Sequence, residues 1–280
     1  VNYISALGFG ARGNSYSQWW DLAVSREHVV GKGITRFHAI YWPAMLLSAS
    51  LPLPTRILVH GYVTADGRKI GKSTGNAVDP TPLAQTFGAD PLRYFLLRLR
   101  STGDGDFSHT RFQQAYESEL ADQLGNLVHR VLSMAAQYLA GVVPWPTGAL
   151  SNGDWLLQNA KRLRPSVQAH SQAFAFDRAL DEVWGFVADC NRYVAERAPW
   201  ALAKGARSAD SESATKNTLE LTEVLSCLMF ALWTVAKCLG PFLPDTSSKI
   251  FEKLGITDTA SVNRSKNLRV EVGLPMFPKR

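Results

Sequence analysis

The sequence predicts two architectures in one chain: an α/β portion over residues 1–105 followed by an all-α helical bundle over 106–280, mostly α overall. Three observations predict this. Before residue 100, short β-branched runs (His28-Val29-Val30 and Ile57 to Val63) alternate with helical patterns, as in a parallel sheet with crossover helices. From about residue 109 onward, apolar residues recur every three or four positions, as on helices that bury one face. Between these regions lies Gly103-Asp104-Gly105, a breaker cluster that puts the boundary within 103–110.

In chain order, residues 1–8 read as a short helix before a polar, Gly-rich loop, and His28 to Val30 as a brief strand ending at Gly31. A helix is expected from Ile34 to about Ser50, bent at Pro43, whose ring cannot continue the hydrogen-bond ladder. Residues 56–64 read as a buried strand, and Asp66-Gly67 as a tight turn. The stretch from Thr74 to Pro80 reads as a poor helix start, whereas Asp90-Pro91 reads as an N-cap with Pro at the first helical position. In the second portion Leu120, Leu124, Leu127, Val131, Met134 and Tyr138 form a stripe along a helix over 117–140. Further helices fit 153–170, 175–197, 214–238 and 244–254, joined by Pro144-Trp145-Pro146 and by residues 205–215. Leu268 to Val272 suits one small strand. Trp155, Trp184 and Trp233 carry only a core reading.

Composition narrows the functional classes. A chain of 280 residues, 46% hydrophobic, supports about two domains with real cores. It contains no unbroken apolar run of roughly 18 residues, so no membrane span is expected. No charged-then-apolar leader opens it, so no secretory signal is expected. Cys190, Cys227 and Cys238 are far apart and lack C-x-x-C spacing. They read as reduced core residues of a cytoplasmic protein, with an organelle matrix as the alternative, and no zinc site is expected in this portion. A net charge of +6 suits a polyanionic partner without identifying one.

The chemistry concentrates in residues 56–76, where the strand and turn lead into Lys69 and Lys72, interleaved with Gly71, Ser73 and Gly75. Cations and a hydroxyl among glycines on a loop after a strand make a polyphosphate cradle, because glycine lets backbone N–H groups approach phosphate. A P-loop requires G-x-x-x-x-G-K-[ST]; here Gly67 lies one residue too close to Gly71, and Asp66 occupies the first glycine's place. The competing reading is the K-M-S-K-S loop of class I aminoacyl-tRNA synthetases, written Lys69-Ile70-Gly71-Lys72-Ser73.

The flanking segments favour the second reading. V-N-Y-I-S-A-L-G at 1–8, F-H-A-I-Y-W-P-A at 37–44, V-H-G at 59–61 and G-A-D-P-L-R-Y-F-L-L-R at 88–98 resemble the methionyl-tRNA synthetase family, in order. So do D-G-D-F-S at 104–108, L-G-N-L-V-H-R at 124–130 and A-P-W-A-L-A-K at 198–204. The resemblance implies the C-terminal half of a Rossmann-type catalytic domain followed by a helical anticodon-binding domain. It implies a methionine–tRNA ligase that uses ATP as its Mg²⁺ complex, with methionine and a methionine-accepting tRNA as partners. No membrane partner is implied, and the oligomeric state, monomeric or otherwise, stays open. The half that carries the family's H-I-G-H motif is not in this chain, so the isolated chain is expected to be catalytically incomplete. The alternatives are a tRNA-binding module without chemistry or an inactive relative.

By the same resemblance, Lys69 and Lys72 meet the charge that builds on departing pyrophosphate, with Ser73 as a hydroxyl donor and Gly71 where the family has serine. Gly31, Gly33 and the Val63 backbone fall in the ATP site; Gly33 replaces an aspartate usual in the family. Tyr3 and His38 match positions near the substrate sulfur, and Ile34, Phe37 and Trp42 match an apolar wall. Ile34, Phe37, His38, Tyr41 and Trp42 share one broad helical face, where an unassisted reading of the histidine is a core residue. Asn126 and Arg130, four residues apart on one face, and Trp200 match anticodon-contacting positions.

Overall fold

The computed structural model describes residues 2–11, 13–70, 77–100, 102–146, 155–207, 211–256 and 267–279. Its contacts divide the chain into two units: residues 1–77 with 99–106, and residues 78–98 with 107–280.

In the first unit, α1 (Asn2–Ala6) precedes a π-helical turn at Ser17–Asp21 and then β1 (Glu27–Gly31). A 3₁₀ turn (Lys32–Ile34) and a π-helical turn (Phe37–Tyr41) lead into α2 (Trp42–Ser48). Pro43 lies in the first turn of α2, where no intrahelical N–H is required. β2 (Arg56–His60) then pairs in parallel with β1, in a register running from Glu27 opposite Arg56 to Gly31 opposite His60. The parallel pairing expected from the strand–helix alternation is therefore present, although β2 is half-buried rather than buried. Ile4, Trp20, Trp42 and Leu46 form the small core of this unit.

The expected single strand over 56–64 is broken at Gly61-Tyr62. A Cβ on Gly61 would stand only 1.9 Å from the Gly103 carbonyl oxygen, so two backbones pack here in a way only glycine permits. The Tyr62 N–H leaves the sheet for the Asp104 carboxylate, at 2.8 Å. Val63 therefore does not end the strand; it opens β3 (Val63–Ala65), which returns through Asp66-Gly67 to β4 (Arg68–Lys69). Both turn residues have positive φ, 50° and 73°, as a two-residue hairpin turn requires. β5 (Gly105–Phe107) adds to this sheet in the order β4-β3-β5.

The second unit is helical. α3 (Pro80–Phe87) and α4 (Ala89–Arg98) are followed by α5 (His109–Ala115), which runs through a π-helical stretch (Tyr116–Gly125) into α6 (Asn126–Leu139). After β6 (Val142–Val143) come α7 (Trp155–Gln172), α8 (Phe176–Arg197), α9 (Pro199–Gly205), α10 (Ser211–Leu239), α11 (Pro244–Lys253) and β7 (Leu268–Arg269), which pairs antiparallel with β6. α10 packs against α6, α7, α8, α9 and α11 and so forms the centre of the bundle. α10 is long and apolar enough to cross a membrane by length and composition alone, but 67% of its most apolar window is buried, as in a core helix. The three cysteines are buried and free, and burial pushes the Cys238 thiol up to about 11. Trp184 packs against Tyr94 with ring centroids 4.4 Å apart, in keeping with its core reading.

Two expectations near residues 74–91 need correction. Asp79-Pro80 does open a helix: the Asp79 carboxylate accepts the Thr81 N–H at 2.8 Å, a cap hidden by the Gly-rich sequence before it. Asp90 does not cap its own helix, which already begins at Ala89. It is buried, and its carboxylate accepts the Thr246 N–H at 2.6 Å in the first turn of α11. Arg93 adds hydrogen bonds to the carbonyls of Pro241 and Phe242 just before that turn. α4 thus ties down the start of α11. Asp90→Ala is expected to destabilise the bundle by about 1–2 kcal/mol, the usual loss of a helix cap, seen as a lower urea midpoint with unchanged far-UV dichroism before the transition.

Candidate functional site

In a parallel sheet, ligands bind beyond the carboxyl ends of the strands. Here those ends are Gly31 and His60, which face each other in register. A Cβ on Gly31 would stand 3.5 Å from the His60 ring, so the two strand ends are closely fitted. Lys32 follows β1, and Tyr62 follows β2 after Gly61. One carboxylate joins them: Asp104 pairs with Lys32 Nζ at 2.6 Å through both oxygens and accepts the Tyr62 N–H. The Lys32 hydrogen bonds, then that of the Tyr62 amide, hold the Asp104 carboxyl below the usual carboxylate range.

The β3–β4 hairpin is fixed by a second carboxylate. Asp106 accepts hydrogen bonds from the Thr64 hydroxyl at 2.6 Å and the Gly67 N–H at 2.7 Å. Lys69 ends β4, with its ammonium 5.5 Å from the Tyr62 ring centroid. Lys72 and Ser73, with Gly71 and Gly75, lie outside the described residues. Gly33 sits in the 3₁₀ turn after β1, and Val63 is exposed at the start of β3.

A cluster of aromatic rings lies beside the β1 end. Tyr3 of α1 is hydrogen-bonded to His38 Nε2 at 2.7 Å, and His38 Nδ1 lies 3.0 Å from the Ile34 carbonyl. A carbonyl only accepts, so in the neutral ring Nδ1 carries the proton and Nε2 accepts from the phenol. Tyr3 also packs against His28 and Trp42, at centroid distances of 4.6 and 5.9 Å. Trp42 is buried and donates its indole N–H to His28 Nε2 at 3.1 Å. Phe37 pairs instead with Tyr41, at 5.7 Å, and both stay exposed, as does Ile34. The helical face read from sequence is thus divided: His38 and Trp42 join Tyr3, and Phe37 joins Tyr41. Polarisable rings with a few weak polar groups suit a soft apolar ligand.

His28 was legible only as a strand residue, yet it anchors this cluster. Burial, and then the neighbouring His38, lower its pKa from 6.5. Imidazolium has no lone pair, so protonation must break the bond from Trp42. As pH falls below about 6.5 the unfolded chain takes up the proton before the native ring does, and stability falls with it. The midpoint of thermal unfolding monitored by tryptophan fluorescence is expected to drop more steeply with acidification in the natural protein than in His28→Gln, which keeps an acceptor but cannot titrate.

In the second unit, Asn126 is exposed near the start of α6, and Arg130 lies one turn further along. Arg130 donates to Asn191 Oδ1 on α8 at 2.9 Å, and Asn191 in turn donates to the Val187 carbonyl. The Arg130 Nε is buried and has no hydrogen-bond partner among the described residues. Ala198, with φ of 41°, ends α8, and Trp200 is the second residue of α9, with 48% of its surface exposed. α9 packs against α6. Sequence reading missed Asn191, whose only signal is its place one α8 turn after Val187. Among the described residues no group of three or more His, Cys, Asp or Glu is placed to hold a metal ion.

Residues 1–132 match the family model for class I tRNA synthetases (M). The methionine–tRNA ligase of Thermotoga maritima is 35% identical over 268 residues, covering 95% of this chain and 40% of that protein. The chain belongs to the methionyl-tRNA synthetase family. The ligase of Bacillus subtilis is 36% identical over 291 residues, with 99% of this chain and 42% of that protein covered. The crystal structure of Mycobacterium tuberculosis methionyl-tRNA synthetase bound by methionyl-adenylate superposes with a TM-score of 0.83 at 32% identity, covering 99% of this chain and 54% of that one. The chain thus spans about half or less of the length of these relatives.

Proposed function

We propose that this chain supplies part of the active site and the anticodon-reading bundle of a methionine–tRNA ligase. The observation that carries the reading is the aromatic cluster of Tyr3, His38, His28 and Trp42 beside the ends of two paired parallel strands, in a chain of this family. The ring cluster receives the methionine side chain, with Ile34 and Phe37 as the outer wall. ATP, as its Mg²⁺ complex, lies over Gly31, Gly33 and the Val63 backbone. The methionine carboxylate attacks the α-phosphate, and pyrophosphate leaves. Lys69 and Lys72 meet the charge gathered on the pyrophosphate, and Ser73 donates a hydroxyl; interactions that strengthen as that charge develops lower the barrier.

Residues 1–105 carry this chemistry, and residues 106–280 read the anticodon. The exposed indole of Trp200 supports a stacking role, because a stacked base contributes about 1–3 kcal/mol. The half-buried Arg130 guanidinium, one turn after the exposed Asn126 on α6, supports polar contacts to RNA base edges. Gly33, where the family has an acidic residue, motivates the second reading, an RNA-binding module without chemistry.

Methionine-dependent ATP–pyrophosphate exchange by the full-length protein separates the two readings: exchange supports the ligase, and tRNA binding without exchange supports the module. Within a working ligase, Lys72→Ala is expected to slow exchange at least a hundredfold, as removal of one transition-state donor does, and to leave the Kd for tRNA unchanged. Trp200→Ala is expected to leave exchange unchanged and to weaken tRNA binding by about five- to a hundredfold. Equal damage to both activities by either variant contradicts the division of labour.

A further inference from the structure

We propose that Tyr62 contacts the sugar of the bound nucleotide, its phenol hydroxyl hydrogen-bonding the ribose hydroxyls of ATP. The inference rests on the reading that this strand-end site takes ATP, and it names the group that holds the ribose. Tyr62 and Gly33 each follow one of the two paired strands, so both stand where a sheet of this kind receives a ligand. They also stand against each other. A Cβ on Gly33 would lie 2.8 Å from the Tyr62 hydroxyl and 3.5 Å from its Cε1. The tyrosine tip thus occupies the room that a side chain at position 33 would need.

The backbone of Tyr62 is pinned on both sides. Its N–H goes to Asp104, and its carbonyl accepts the Gly105 N–H at 2.9 Å. Its ring carries the Lys32 ammonium at 4.4 Å and the Lys69 ammonium at 5.5 Å from the centroid. Cations over the π system compete with an adenine for the ring, which leaves the hydroxyl as the recognition group. The side chain is exposed to solvent. A phenol both donates and accepts, as a vicinal diol does. A phosphate only accepts, and the neighbouring ammonium groups serve it better.

The test compares ATP with 2′-deoxy-ATP and 3′-deoxy-ATP in methionine-dependent pyrophosphate exchange by the full-length protein. Tyr62→Phe is expected to raise the KM for ATP about three- to tenfold, the weight of one hydrogen bond, and to leave the KM for methionine unchanged. Preference for ATP over one of the deoxynucleotides should fall by the same factor. Gly33→Ala should reproduce both effects, because its methyl displaces the hydroxyl, and should add little in a Tyr62→Phe background. Wild-type KM for ATP and wild-type discrimination in Tyr62→Phe overturn the proposal while leaving the ligase reading intact. No methionine-dependent exchange by the unaltered protein overturns the reading and the proposal together. Should Tyr62→Phe fail to fold, Gly33→Ala decides alone: an unchanged KM for ATP overturns the sugar contact.

Discussion

One carboxylate organises the first unit. Asp104 lies 72 residues from Lys32 and 42 from Tyr62, and it binds both. It adds a charged anchor shared by the segments leaving β1 and β2, which also meet directly where the Lys32 ammonium lies over the Tyr62 ring. The ion pair is exposed on both sides, so it adds little to global stability. Its value is geometric: it sets where the Lys32 ammonium and the Tyr62 ring stand, and Tyr62 in turn lies against Gly33 and beneath Lys69. Asp106, two residues on, holds the hairpin that carries Lys69. A pair of acidic residues on one short segment thereby fixes both the strand ends and the cationic hairpin.

The second unit solves a different problem with different means. Its helices bury a continuous apolar core around α10, and buried side chains fill it from Tyr94 to Phe277. The polar groups inside it are mostly structural. Asp90 caps α11 from a neighbouring helix, and Arg98 bridges Glu119 and Asp181 beside the Tyr94 hydroxyl, which donates to Glu119. Asn191 takes one Arg130 N–H, while the Arg130 Nε, like Asp90 Oδ1 and the indole nitrogens of Trp184 and Trp233, is buried without a partner among the described residues.

Much of the fold was legible because it follows local rules. Period-3.6 stripes located the helices of the bundle, and Asp66-Gly67 located the hairpin turn. What sequence reading missed was set by distant residues. Ile57 to Val63 looks like one strand, and it breaks because Gly61 meets Gly103 and Tyr62 is drawn to Asp104. Asp90 has the chemistry of an N-cap, but its partner lies 156 residues away. Of the site residues, Tyr3, His38 and Trp42 converge, whereas Phe37 meets Tyr41, because His38 and Trp42, like Phe37 and Tyr41, are four residues apart and the two pairs stand on neighbouring strips of the helix. His28, Tyr62 and Asp104 carry no motif-independent signal; they became visible only through what they touch.

The claim that Asp104 sets the geometry of the strand-end site is tested most directly by Asp104→Asn in the full-length protein. Asparagine keeps an acceptor for the Tyr62 amide and removes the charge that holds Lys32. The account predicts a rise of about tenfold or more in the KM for ATP in methionine-dependent exchange, as for loss of a residue that orients a site, with thermal stability near that of the natural protein. A KM for ATP equal to that of the unaltered protein contradicts it.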